Sequence, residues 1–278
     1  MTDTLSTATI DRADFGRGWE AWHREHEARR ADPHGFLAIT GLHWLTAAPQ
    51  LIPGVPGAWS TGPEGPVVAL TDDDVLTFDC EVLRGIHAFG EIPERGGLTV
   101  AYDGGVAEVA KRGGHDIVRP RRPDHPFLAA YDGTPVYAPH PQWRVPARFV
   151  EYATPRRTEV GAAVDGLTHV YESPGYVEFT LRGETHRLIA FEGYAPGELV
   201  VLFTDETSGR TTYAANRTVG VPAPDADGGT VIDFTRAVNL PCAYTDFATC
   251  PLPPAGNHLP IAVEAGEKTP LARVHATL

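Results

Sequence analysis

Hydrophobic and polar positions alternate in short runs along most of the chain, and only one stretch follows a helical period. From Asp11 to Arg30, the residues Phe15, Trp19, Trp22 and His26 fall at i, i+4, i+7 and i+11, one face of a helix with 3.6 residues per turn. Asp11 or Asp14 is placed to cap its start, and Asp32-Pro33 to close it. An aromatic stripe of this kind is expected to pack against the body of the protein. His23 and His26, three apart and flanked by Glu25 and Glu27, read as surface residues rather than as metal ligands.

Beyond the helix the pattern is that of strands. GFLAITGLHWL (35–45) reads as a short apolar strand, with His43 a hydrogen-bonded core residue first and a ligand-binding residue second. VLTFDCEVL (75–83) alternates cleanly, which places Leu76, Phe78, Cys80 and Val82 on one buried side and makes Cys80 an inert core thiol. IVRPRRPDHPFLAAYDG sets Arg119, Arg121 and Arg122 among prolines; so short a basic run reads as a solvated edge rather than an anion site. From Val145 the register becomes clearer. VEFTLRGETHRLIAF (177–191) predicts a hairpin turning at Arg182-Gly183-Glu184. Glu198 to Val221 predicts a second, turning at Glu206 to Gly209, and TVIDF (230–234) a further strand. Short strands with no helical pattern between them predict a mainly β fold. Its two packed β units are sandwich- or barrel-like, over residues 34–140 and 141–278, after an N-terminal amphipathic helix within 1–33.

Composition narrows the function classes. Gly 29 and Pro 25 make up about one residue in five of the 278, so tight turns are many and long helices few. A formal net charge of −13 repels a phosphate backbone, which speaks against nucleic acid as a partner and leaves a small-molecule ligand. The first residues, MTDTLSTATIDRADF, carry no basic segment followed by an apolar one, and no apolar run approaches the roughly 20 residues of a membrane helix. With three cysteines, sparse and odd in number, the expectation is a cytoplasmic chain with no membrane partner.

No P-loop, dinucleotide fingerprint, G-x-S-x-G elbow, H-E-x-x-H helix, C-x-x-C pair or EF-hand loop occurs in the sequence. The unusual stretch is Asp233 to Pro270, irregular in pattern, with six prolines from Pro241 to Pro270 among polar and aromatic residues. Long irregular segments in compact proteins tend to be functional or disordered, and this one is too apolar for disorder. Proline fixes φ, which suits a rigid wall holding polar groups in place, and equally suits a strap that laces the fold closed.

TSGRTTYAANR (207–217), DFTRAVNLPCAY (233–244) and TCPLPPAGNHLPIAVEAGEK (249–268) together resemble the bacterial family catalogued as domain of unknown function 1684. HGFLAITGLHWL (34–45) also looks like that family's opening. Thr235 and Val238 stand where the family usually has Asn and Tyr, and His258 where it usually has Arg, which weakens any metal site built on Cys242, Cys250 and His258. The resemblance brings no activity or cofactor with it.

Within these motifs, Arg217 and Arg236 are the candidate anion or oxyanion holders and Tyr213 the candidate donor. Asp233, Glu264 or Glu267 is the candidate general acid or base, and Asn239 and Asn257 are candidate ligand-binding residues. The expectation is an enzyme acting on a small, anionic organic substrate at a pocket near the C-terminal segment. A non-catalytic ligand-binding module is the alternative, and a redox or metal role of Cys242 and Cys250 the third reading. Two thiolates alone would leave a zinc ion half coordinated, so no metal is assigned.

Overall fold

The computed structural model describes residues 11–193 and 195–276. The protein is mainly β. Its long helix, α1 (Arg12–Arg30), begins where the Asp11 carboxylate accepts the Ala13 N–H at 2.8 Å. Phe15, Trp19, Trp22 and His26 do form its inward face, and this face continues through His23 and Glu27 to the buried Arg30. The Trp19 indole N–H anchors it by donating to the Thr235 carbonyl at 2.8 Å. Among the described residues, no helix is long and apolar enough to cross a membrane.

The first ten strands are β1 (His43–Trp44), β2 (Gln50–Ile52), β3 (Val55–Gly62), β4 (Gly65–Ala69), β5 (Thr77–Phe78), β6 (Glu81–Val82), β7 (Ile86–Ala88), β8 (Gly97–Tyr102), β9 (Gly105–Arg112) and β10 (His115–Arg121). They form a six-stranded sheet, β1-β10-β9-β8-β5-β6, and a four-stranded one, β2-β3-β4-β7. The two sheets share a core of Trp59, Val68, Leu76, Val100, Val109 and Val118. In β9 and β10 both faces are covered. Val109 and Val118 point into this core, while Ala110 and Ile117, one residue out of phase, are equally buried on the other side. A strand buried on both faces needs a second layer over it.

That layer comes from β11 (Arg144–Gly161), β12 (Thr168–Leu181), β13 (Glu184–Glu192), β14 (Leu199–Asp205), β15 (Arg217–Val221), β16 (Gly229–Asp233) and β17 (His258–Leu259). They are ordered β15-β14-β13-β12-β11-β16, with β17 parallel to β14. Their core holds Val177, Phe179, Leu188, Val201, Phe203 and Phe234. The two assemblies meet closely at the β9–β10 turn, where Gly113 has φ +57 and a Cβ would come 2.2 Å from Leu167 Cδ1, so only glycine fits there.

Two local readings fail. The 75–83 run is not one strand: the chain reverses at Asp79 and Cys80, both left-handed (φ 48 and 65), so β5 and β6 form a tiny hairpin and Cys80 is exposed rather than in the core. Periodicity cannot register a turn that interrupts it without glycine or proline. The 35–45 run forms a 3₁₀ turn at Phe36–Ala38 before the two-residue β1, because Leu37 turns inward to pack on Tyr244. The hairpin at Arg182-Gly183 (φ 54 and 84) forms as read.

Candidate functional site

A cavity of about 390 Å³ lies between the first ten strands and the later sheet. One wall carries three guanidinium groups. Arg112 ends β9 and Arg119 sits on β10, with Arg119 directly across the ladder from Glu108. Glu108 accepts from Arg112 at 2.9 Å, from Arg119 at 2.7 and 3.1 Å, and from Arg121, so one carboxylate faces three guanidiniums and positive charge is left over. Burial pushes the Glu108 carboxyl up, but Arg119, Arg121 and Arg112 outweigh it and hold the group down to about 2. The third, Arg95, is held at φ +67, a strained position for a side-chain-bearing residue, with its guanidinium 4.5 Å over the Tyr171 ring.

The rest of the lining is largely apolar: Tyr171, Phe191, Val200, Leu202 and Leu240, together with Cys250 and Glu192. Burial raises the Tyr171 phenol to about 12, so it stays a neutral donor. His169, only 2% exposed, also lines this space. Its Nε2 lies 2.7 Å from the Thr249 carbonyl, which can only accept, so Nε2 carries the proton. Its Nδ1 is buried without a hydrogen-bond partner, 3.8 Å from Glu94 Oε1.

The family profile described as "Protein of unknown function (DUF1684)" matches residues 129–268, half of the chain. The chain belongs to the DUF1684 family. A solution structure of an uncharacterized protein from gene locus rrnAC0354 of Haloarcula marismortui is 35% identical over 51% of this chain and 80% of that one, with a TM-score of 0.43. No curated protein matches. The DUF1684 segment supplies the apolar wall, His169 and Cys250, whereas all three arginines come from the strands and turns that precede it.

Of the candidate site residues named from sequence, only Cys250 lines this cavity, with Cys242 behind it; Arg119, expected on a solvated edge, is instead buried and lines it too, because its face of β10 is covered. Arg217 is wholly enclosed. It donates to Asp205 at 2.7 Å, to the carbonyls of Val263 at 3.0 Å and Glu267 at 3.3 Å, and to that of Ala265, and it lies over the Phe203 ring. Asn257 bridges β13 and β14 by accepting from Ile189 N–H and donating to the Ile189 and Leu202 carbonyls. Tyr213 donates to the Cys242 carbonyl at 2.9 Å and accepts from Arg273 at 2.9 Å, and burial raises its phenol. Asp233 accepts from the Thr235 N–H and hydroxyl, and Arg236 lies over the Trp22 ring. Glu264 is exposed, and His43 sits apart on β1, half-buried, with its pKa lowered by burial.

Glu267 belongs to a second polar cluster that the sequence did not reveal, because half of it lies on α1. One Glu267 oxygen accepts from Arg30 at 2.6 Å, with His26 Nε2 3.2 Å away; the other accepts the Asn239 N–H at 2.7 Å. Arg30 also donates to Glu27 at 3.0 Å and to Thr134 at 2.6 Å. His26, Glu27 and Glu267 lie near enough to share a metal ion, but the Arg30 guanidinium already occupies the centre of the group as its cation.

The carboxyl shifts set an acid limit. A group held below its usual value contributes stability that is complete above the usual value and is lost as pH falls through the folded one. For Glu108 that window runs from 4.5 down to about 2, and Glu267 is lowered as well, with His26, Arg30 and the Asn239 N–H overcoming its burial. Urea denaturation at a series of pH values should show stability level above about pH 5 and falling by on the order of 3 kcal/mol for Glu108 alone towards pH 2.

Proposed function

We propose that the protein binds a small organic anion with an apolar body in the cavity between its two β assemblies. The observation that carries this is the mixed lining: three arginines, one of them strained and without a carboxylate partner among the described residues, share a cavity of about 390 Å³ with aromatic and aliphatic side chains. A volume of this size suits a single small molecule, and strain is characteristically retained where a side chain is needed in one place. In a chain of net charge −13 such a concentration of guanidinium groups is a local feature, not a consequence of composition.

Acid–base catalysis on the bound anion is the enzymatic form of this reading. His169 supports it, since its Nε2 donates to the Thr249 carbonyl while its Nδ1 has no hydrogen-bond partner and lies 3.8 Å from Glu94 Oε1 at the cavity lining. Binding and turnover separate cleanly: His169→Gln should abolish turnover of an aryl phosphate or carboxylate while leaving its binding within a few-fold.

Arg95→Gly tests the binding itself. Glycine relieves the left-handed strain, worth about 1 kcal/mol, and removes the charge. The melting temperature should hold or rise, while the thermal shift produced by phenyl phosphate or benzoate should disappear. An undiminished shift in the variant would remove Arg95 from the site.

A further inference from the structure

Two of the three cysteines meet at the cavity wall. The Cys242 N–H donates to the Cys250 sulfur at 3.3 Å, and that nitrogen is three bonds from the Cys242 sulfur, so the two sulfurs are within bridging reach. Cys250 lines the cavity, whereas Cys242 is wholly buried behind it, carrying 0% exposure. The surroundings make the two unequal. The neighbouring Cys242 thiol and its N–H, with Arg119 nearby, favour the Cys250 thiolate against its burial, whereas Cys242, beside Cys250 and buried, is kept a thiol. A nucleophile that is buried yet lines a cavity, backed by a protonated neighbour, is an arrangement that suits a two-step oxidation by a small molecule entering that cavity.

We propose that Cys250 and Cys242 form a peroxide-reactive dithiol in the cavity wall, Cys250 attacking a hydroperoxide and Cys242 resolving the product. In the first step the Cys250 thiolate attacks the terminal peroxide oxygen; the O–O bond breaks, the alkoxide or hydroxide leaves and takes a proton from solvent, and Cys250 becomes a sulfenic acid. The Cys242 sulfur then attacks that of Cys250. An S–S bond forms, and the departing hydroxide leaves as water with the Cys242 proton. Peroxide is reduced by two electrons and the dithiol oxidised by two; an external dithiol restores it. This step needs the cavity to admit a small molecule to Cys250, and does not depend on the anion reading.

The experiment uses Cys80→Gly, since Cys80 is exposed and sits at φ +65, where glycine fits. One equivalent of hydrogen peroxide should remove both remaining thiols and lower the intact mass by two hydrogens. Dithiothreitol should reverse both changes, and the reaction should run at least about tenfold faster than with free cysteine. With Cys242→Ser added, dimedone should label Cys250. Both thiols still titratable under denaturant, a rate no better than free cysteine, or a disulfide only between molecules would overturn the proposal. Thermal shifts with phenyl phosphate on the same reduced sample report on the anion site separately.

Discussion

Replacing Arg217 by alanine is expected to destabilise the protein by about 3–5 kcal/mol, a large part of the total stability of a domain. Arg217 and Asp205 are both fully enclosed, and the guanidinium also ties down the carbonyls of Val263, Ala265 and Glu267. Its loss leaves the Asp205 charge buried, held by Thr207 and the Val263 N–H alone. It also frees the returning C-terminal segment from β15. Arg217→Lys should recover little, because an ammonium group cannot reach acceptors spread around a planar fork. Urea denaturation measures this; a loss below about 1 kcal/mol would show that the segment is held by other contacts.

Glu267→Ala should cost a comparable amount, about 3–5 kcal/mol, but with a different signature. Glu267 is 2% exposed and joins α1, through Arg30 and His26, to the Asn239 backbone. Without it Arg30 keeps only Glu27 as a charged partner, and the lower half of α1 loses its anchor while Trp19 keeps the upper half. Hydrogen exchange should therefore rise across the C-terminal turns of α1 before the sheets respond. Glu267→Gln, which still accepts the Asn239 N–H, should lose less. Uniform exchange over the whole chain would instead mean that α1 and the sheets unfold as one unit.

These sites show where the sequence was legible. The helix, its cap and its buried stripe follow from residue spacing, and the Arg182-Gly183 turn from local chemistry. The polar edge of α1 does not, because Glu27 and Arg30 look like solvated charges until Glu267, far along the chain, is placed beneath them. The cavity is harder still. Arg95, Arg112 and Arg119 share no motif; strand pairing and the close turn at Gly113 bring them together. The one available signal was phase: in HDIVRPR, Arg119 falls in step with the apolar Ile117, whose burial shows that this face of the strand is covered. Arg122, by contrast, is the solvated residue that the run suggested, paired with exposed Asp124. Cys242 and Cys250 were visible because only seven residues, 243–249, separate them, with Pro241 and Pro251 just outside the pair.

The central claim is that the cavity lined by Arg95, Arg112, Arg119 and the apolar side chains around them is a site for an organic anion. A crystal structure of the protein with phenyl phosphate tests it most directly. The phosphate should lie against the guanidinium groups of Arg95 and Arg119, with the phenyl ring towards Tyr171 and Leu240. A cavity left empty at saturating ligand, or phenyl phosphate bound only elsewhere on the surface, would contradict it.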